Sequence, residues 1–360
     1  MNTLALTELG WQPFFEQQVS PEERNKFLIA RVGAHFGGRI QFLSDVGRFS
    51  VPTSLVELEN IDFASDHSHE FSVSGIAIGD WFLLDKIDHR AIRQLERKTL
   101  ISRKAAGNEV KSQLIASNID TAIIVSSCNQ DFNLSRIERY LALVLESGIV
   151  PVVVLTKSDI CDDPNLLRRQ TEKLHAGLLV ETMDARDLNQ VAVLNDWCST
   201  GKTIALLGSS GVGKSTLANA LGDHDIETSG IREDDAKGRH TTTARSMHRL
   251  LPGGWLVDNP GMREFQLPAC EQGLADLFDD IIRLAKQCQF RNCHHENEPG
   301  CAIQTAIENG DVDERRFISF QKLESEQARN ATSLAERRQK ERQIGKFYKR
   351  VISEKRSRRR

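Results

Sequence analysis

Two hydrophobic patterns divide the chain. Up to about residue 98 the apolar positions form short runs broken by turn residues. Arg39–Leu43 and Arg48–Pro52 flank the turn formers Asp45 and Gly47, with Gly37-Gly38 just before them, and predict a β-hairpin. Phe71–Ile78 and Trp81–Asp85, parted by Gly79-Asp80, read as two more strands. Several short strands at this spacing suit a small barrel of the OB type.

From about Leu100 strands and helices alternate. Ile119–Ser127 and Val150–Thr156 are continuous apolar runs, the mark of strands buried on both faces, and Leu134–Ser147 between them has helical periodicity. Leu166–His175, Leu178–Thr182 and Leu188–Cys198 continue the alternation. Thr203–Gly208 is a strand that runs into a glycine-rich loop, with a helix expected from Lys214, and Trp255–Asp258 is one more buried strand. Repeated βα units of this kind predict a mostly parallel sheet with helices on both faces. After about Ala269 the pattern is helical, interrupted by a cluster of cysteines and histidines.

The chemistry begins at that glycine-rich loop. Gly208-Ser209-Ser210-Gly211-Val212-Gly213-Lys214-Ser215, followed by Thr216, fills every position of the P-loop pattern, in the required context of strand before and helix after. Glycines let backbone N–H groups curl around phosphates, and the helix N-terminus adds positive potential. Lys214 would reach the β- and γ-phosphates and Ser215 would ligate Mg²⁺. The bland reading is a strand-to-helix turn that binds nothing.

A P-loop does not tell GTP from ATP. Thr156-Lys157-Ser158-Asp159 supplies that discrimination at the tip of a parallel strand, where such sheets bind ligands. The Asp159 carboxylate can accept hydrogen bonds from guanine N1 and N2, a donor pair adenine lacks, and Lys157 would lie along the base. Asp258-Asn259-Pro260-Gly261 closes the strand Trp255–Val257; Asp258 would hold Mg²⁺ through water and the Gly261 N–H would bond the γ-phosphate. Between the two loops, Gly238-Arg239-His240-Thr241-Thr242-Thr243 can supply a threonine to the Mg²⁺ shell, Thr242 and Thr243 both being within reach, or be no more than a solvated loop.

This order of TKxD, P-loop, GRHTTT and DxPG resembles the RsgA (YjeQ) family of circularly permuted GTPases, over roughly residues 28–320. The resemblance implies an N-terminal OB domain, a permuted GTPase domain and a C-terminal zinc domain. It also implies a role in maturation of the small ribosomal subunit, with GTP hydrolysis stimulated by that subunit. We set the expected boundaries at 1–98 for the OB-like barrel, 99–268 for the GTPase domain, 269–333 for a zinc-binding helical domain and 334–360 for a basic tail. Rejoining the ends of a compact domain elsewhere leaves its core intact, so permutation is physically permissible.

The chain departs from the usual GTPase pattern at several points. Thr156 stands where many GTPases have Asn, a residue that mainly buttresses the P-loop, and Asn259 replaces the commoner Thr. The stretch near Glu181 and Thr182 is the weak candidate for backbone contact to guanine O6. Met262 occupies the position at which Ras-like enzymes orient the attacking water with Gln. His240 is therefore the catalytic candidate, and slow intrinsic turnover accelerated by a partner is expected.

Cys288, Cys293 and Cys301, with adjacent histidines and a Pro299-Gly300 turn, offer a Cys₃His set for one tetrahedral structural Zn²⁺. The family resemblance implies His295 as the fourth ligand in preference to His294. Buried thiols in a helical domain are the bland alternative. An odd total of seven cysteines, three of them in this cluster, fits a reducing compartment better than a disulfide framework.

Composition changes the picture in two ways. No apolar run approaches a bilayer-spanning length and the N-terminus does not read as a signal peptide, so a cytoplasmic protein without membrane contact is expected. The net charge of −3 hides an asymmetry: Ala335–Arg360 holds twelve Lys/Arg against three Glu, a local +9, leaving about −12 elsewhere. Such a tail suits a polyanion, and with the family resemblance the expected partners are GTP/GDP and the small ribosomal subunit with its rRNA. The chain is expected to act as a monomer. Phe36, Arg39, Phe42, Arg48 and Phe49 are the candidate RNA contacts of the barrel. Two other function classes fit less well: a P-loop kinase or ATPase, opposed by Asp159, and a zinc-bearing RNA-binding protein with a vestigial P-loop, opposed by Lys214, Ser215 and Asp258.

Overall fold

A computed structural model describes residues 4–36, 38–56, 75–104, 112–222, 245–258, 270–296 and 298–329. Two short helices, α1 (Pro13–Glu16) and α2 (Pro21–Lys26), precede five strands: β1 (Leu28–Phe36), β2 (Arg39–Ser44), β3 (Gly47–Pro52), β4 (Trp81–Leu84) and β5 (Ala91–Gln94). Ser20 caps α2 in a capping box with Glu23, which satisfies two otherwise orphan N–H groups. A separate hairpin follows, β6 (Leu100–Lys104) with β7 (Ser112–Ser117). The expected hairpin across Asp45 and Gly47 forms as β2–β3. Of the strand expected at Phe71–Ile78, residues 71–74 lie outside the described residues, and the rest makes a single bridge from Ile78 to Ala116.

Next comes the alternating region: β8 (Thr121–Ser127), α3 (Leu134–Glu146), β9 (Val150–Thr156), α4 (Pro164–Glu172), β10 (Leu179–Thr182), α5 (Leu188–Val191), β11 (Thr203–Leu207), α6 (Lys214–Leu221), β12 (Arg245–Arg249) and β13 (Trp255–Asp258). Every residue of β8 and of β11 is buried, as continuous apolar runs require when both faces are covered. The expected parallel sheet is present, in the order β10-β9-β8-β11-β13, with β12 antiparallel beyond β13.

The sheet does not stop there. β12 pairs with β1 through Ala34↔Ser246 and His35↔Arg245, so the N-terminal strands β3-β2-β1 extend it, with β4 and β5 branching from β1. β1 is buried from Leu28 to Ala34 on both faces and includes the fully buried Arg31. A buried cation must be paired or fully hydrogen-bonded. The Arg31 guanidinium donates to Leu9 O at 2.5 Å, Asn118 O at 3.1 Å and Gly79 O at 3.2 Å. It also lies 5.6 Å from the Trp81 ring. Burial pulls its pKa down to about 10, against the opposing pull of Asp120 and Asp80, so it stays charged at neutral pH. One side chain thereby joins the N-terminal segment, the antiparallel strands and the entry to β8.

The C-terminal part is helical, as expected: α7 (Glu271–Leu277), α8 (Asp279–Ala285), α9 (Ala302–Glu308) and a last helix over residues 314–329, here α10. It docks on α3. Glu138 of α3 is fully buried and accepts from Arg315 at 2.9 and 3.1 Å and from Arg316 at 3.4 Å. Arg139 forks onto Glu326 at 2.9 and 2.6 Å. Among the described residues no helix is long and apolar enough to cross a membrane.

Where α7 crosses α3 the backbones touch: a side chain at Gly273 would run into the Ala142 carbonyl oxygen and the Glu146 N–H. Gly273→Ala is therefore expected to push the two helices apart at a cost of about 1–3 kcal/mol. The check is a lowered thermal midpoint of the full chain.

Candidate nucleotide site and cysteine cluster

Parallel pairing puts the ends of five strands on one edge of the sheet. The register aligns Ser127 with Thr156, Leu207 with Ile124, Leu155 with Thr182 and Ala205 with Val257. The loops that follow β9, β10 and β11 therefore emerge side by side.

The P-loop, residues 208–213, links β11 to α6. Gly208 has φ +146°, and a Cβ there would collide with the Val125 carbonyl oxygen of β8. Gly213 has φ +91° and packs against Thr156, whose Oγ1 would lie 3.2 Å from a Cβ. Both positions need glycine, for conformation and for space. Lys214 opens α6, and its Nζ donates to the carbonyls of Gly208, at 2.8 Å, and Ser209, which holds the ammonium over the loop. Ser209 and Ser215 are half-buried, Ser210, Gly211 and Thr216 exposed, and Val212 buried as the loop's apolar anchor.

Thr156 ties the two loops together. Its hydroxyl has one proton, and it lies 2.6 Å from Val212 O and 3.1 Å from Ser126 O; the shorter contact takes the proton. Lys157 follows in the left-handed region at φ 58°, uncommon for a residue with a side chain. That turn starts a short 3₁₀ segment, Ser158–Ile160, which carries Asp159 to the mouth of the site with its side chain 33% exposed. The Asp159 carboxylate is thus reachable by a ligand but not fully solvated.

The loop after β10 packs against this segment: Ser158 N donates to Met183 O at 3.3 Å. Arg186 in the same loop donates to Asp159 Oδ2 at 2.8 Å. Met183–Arg186 thus packs against the segment that carries Asp159, one to four residues beyond the Glu181/Thr182 stretch that the sequence pointed to. In this loop Ala185, just past the strand tip, is small and buried.

Asp258 ends β13, beside the P-loop strand. His240, Thr242, Thr243 and Gly261 lie outside the described residues, as does the basic tail from residue 330.

The cysteine cluster assembles between α8 and α9. His295 Nδ1 lies 3.5 Å from both Cys288 Sγ and Cys301 Sγ, those sulfurs are 4.0 Å apart, and with Cys293 all four ligand atoms lie within 4.8 Å of one another. Tetrahedral Zn²⁺, with bonds of about 2.3 Å to sulfur and about 2.0–2.1 Å to nitrogen, sets ligand atoms roughly 3.5–3.8 Å apart. The cluster fits that ion. His294 is exposed, its backbone N–H donates to Glu298 Oε1 at 2.7 Å, and its ring is not among the four clustered ligand groups.

One candidate RNA contact is corrected. Phe42 is wholly buried, packed on Phe82 at 5.8 Å between ring centroids, and cannot stack on a base. Phe36, Arg39 and Arg48 are exposed, while Phe49 is half-buried and stacks on His89 at 4.4 Å.

Comparison with known proteins agrees with this geometry. A family model described as RsgA GTPase matches residues 94–268. The small ribosomal subunit biogenesis GTPase RsgA 2 of Vibrio parahaemolyticus is 48% identical over 354 residues, covering 98% of this chain and 94% of its own. The chain belongs to the RsgA GTPase family. A relative from Mesorhizobium japonicum, named small ribosomal subunit biogenesis GTPase RsgA, is 40% identical over 91% of each chain. The crystal structure of YjeQ from Thermotoga maritima shares the fold, with a TM-score of 0.58 and 22% identity over 84% of this chain and 99% of its own. YloQ, described as a circularly permuted GTPase, matches with a TM-score of 0.56 at 22% identity, over 84% and 95%.

In this RsgA-family chain the Thr156 hydroxyl is the one side-chain hydrogen bond between the two loops among the described residues. Thr156→Val keeps the shape and removes the proton, leaving the buried Val212 carbonyl short of a donor. The expected cost is about 1–3 kcal/mol. A lowered urea midpoint and faster amide exchange through the P-loop would register it.

Proposed function

We propose that this protein hydrolyses GTP as a late maturation factor of the small ribosomal subunit, which it contacts through rRNA and which stimulates its turnover. The observation that carries this reading is the meeting of Asp159 and the P-loop at one sheet edge, joined through Thr156. The names of the curated relatives supply the ribosomal context.

In this reading the backbone N–H groups of Gly208, Ser209, Ser210, Gly211, Val212 and Gly213, with Lys214, cradle the phosphates, and Thr216 lies beside them. Asp159 accepts from guanine N1 and N2, Lys157 lies along the base, and Thr156 keeps the two halves of the site at a fixed distance. The site's fit to Mg²⁺ rests on hard oxygen donors: Ser215 in the first turn of α6, Asp258 at the end of the neighbouring strand, and Thr242 or Thr243. Mg²⁺, when bound with GTP, would neutralise charge developing on the phosphate oxygens. The Gly261 N–H would bond the γ-phosphate and His240 would orient the attacking water. His240 is placed there by sequence alone, beside the metal-binding threonines and in a chain that has Met262 where others have Gln.

Cys288, Cys293, His295 and Cys301 would hold one structural Zn²⁺, with no ligand position left open for catalysis. Gln304 supports the outer shell: its side chain donates to His295 O at 2.5 Å and its backbone N–H lies 3.5 Å from Cys301 Sγ. For the N-terminal unit, residues 1–98, the strand order β3-β2-β1-β4-β5 supports a partly open five-stranded barrel of the OB type. Residues 99–268 would form the GTPase domain, 269–333 the zinc unit and 334–360 an rRNA-binding arm. The working form would be a cytoplasmic monomer.

The deciding experiment is steady-state GTP hydrolysis with and without purified small subunits at moderate salt. Strong stimulation by small subunits and none by large ones is the expected result. Tight GTP binding without stimulation would keep the GTPase and remove the ribosome as its activator. Metal analysis should give one zinc per chain, lost together with much of the thermal stability in Cys301→Ser.

A further inference from the structure

The loop after β10 holds a second carboxylate against the same guanidinium as Asp159. Arg186 Nε donates to Asp184 Oδ1 at 2.9 Å and Nη2 to Asp184 Oδ2 at 2.9 Å, a two-point fork. The same Nη2 donates to Asp159 Oδ2 at 2.8 Å. Asp184 Oδ1 also takes the backbone N–H of Arg186 at 3.0 Å, which fixes the fork to its own loop. The Arg186 hydrogen bonds hold the Asp184 carboxyl below the usual carboxylate range, the side-chain bonds most of all and the backbone bond next. The same partners raise Arg186, Asp184 first.

Three features give this cluster a direction. A free arginine on the surface would lose much rotamer freedom on pairing, but here Asp184 has already ordered it. The guanidinium engages one oxygen of Asp159, and an ionised carboxylate has about four acceptor sites. Among the described residues Arg186 is the sole side-chain partner of Asp159. Without that cation, the two like-charged carboxylates at the mouth of the site would repel each other and Asp159 would lose the contact that orients it.

We propose that Arg186 is a positioning residue for guanine recognition, bridging Asp184 to Asp159 so that the Asp159 carboxylate is held oriented toward the two N–H donors of the base. The proposal rests on the reading of Asp159 as the base-reading group. Arg186 touches the carboxylate and acts through it. Its effect belongs in the affinity for the base, and it should be largest for the base that uses both N–H groups.

The test is calorimetric titration of the full chain with GDP, IDP and ADP, for the wild type, Arg186→Ala, Arg186→Lys, and Arg186→Ala combined with Asp184→Asn. Arg186→Ala should weaken GDP by roughly three- to tenfold, the range of a partly exposed ion pair, and by less at high salt. IDP, which lacks the 2-amino donor, should weaken less, so the GDP/IDP preference falls while ADP binding does not change. Arg186→Lys should recover part of the loss, and adding Asp184→Asn should recover more by removing the opposing charge. Thermal midpoints of the variants near the wild type keep these changes local.

Unchanged GDP binding in Arg186→Ala would overturn the proposal and leave the GTPase reading intact. Tighter GDP binding would overturn it in the other sense, making Arg186 a competitor for Asp159. A wild type that does not prefer GDP over ADP would remove the base-reading assignment itself, and the proposal with it.

Discussion

The arrangement depends on the parallel pairing of β9, β8 and β11. Parallel strands bring all their C-terminal ends to one edge, whatever the order in which the chain visits them. Here the chain lays down β9, which leads to Asp159, first and β11, which leads into the P-loop, later, with β8 between them. A circularly permuted order is therefore no obstacle to the site. What a permuted chain must still supply is a fixed distance between the two loops, and the buried Thr156 hydroxyl bonded to Val212 O does so at 2.6 Å. A threonine does this work with a short side chain because Gly213 lets the P-loop backbone come within van der Waals reach.

Much of the candidate site's local structure was legible because its residues stand at fixed spacing. The P-loop needs glycine at positions where a Cβ would strike Val125 O or press on Thr156, and such steric demands leave a pattern in the sequence. The cysteine cluster was legible for the same reason, its ligands being few and close in sequence. The strands β1 and β12 were not. β1 is buried on both faces and so lacks alternation, and Arg31 and Gly33 interrupt its apolar run; what makes Arg31 acceptable is three carbonyls from distant segments, which no local window contains. β12 reads Arg-Ser-Met-His-Arg, a polar string that becomes a strand only because β13 and β1 flank it. Phe42 misled in the opposite way, since an aromatic in a short strand looks the same whether it faces the core or the solvent. The packing of the Met183–Arg186 loop against Ser158 was not legible, because it depends on tertiary contact and not on a motif.

Both flanking units are fastened to elements that carry the nucleotide loops. The N-terminal segment meets the β12–β13 hairpin at two points: Trp255 Nε1 donates to Glu8 O at 2.8 Å and Arg249 reaches Glu8 Oε1 at 3.4 Å. β1 then adds a strand to β12, which in turn pairs with the strand that ends in Asp258. On the other side, α7 and α10 grip α3, the helix between β8 and β9. Movement at the nucleotide edge therefore has a covalent or hydrogen-bonded route to each flank, and neither route passes through a flexible tether among the described residues.

Two ion-pair clusters in this molecule have similar chemistry and opposite energetics. Glu138 is fully buried; of its two arginine partners Arg316 is buried and Arg315 half-buried. Removing one partner of such a pair strands a charge away from water, at a cost on the order of 3–5 kcal/mol. A contact of that kind fixes the C-terminal helices on α3 and does not switch. The Asp159–Arg186–Asp184 cluster sits at the surface, where water and salt screen it and its partners exchange at little cost. A carboxylate in a cluster of the second kind keeps acceptor sites within reach of a ligand while its arginine partner stays bound. Burial thus separates the pair that holds the architecture from the pair that can respond to what binds.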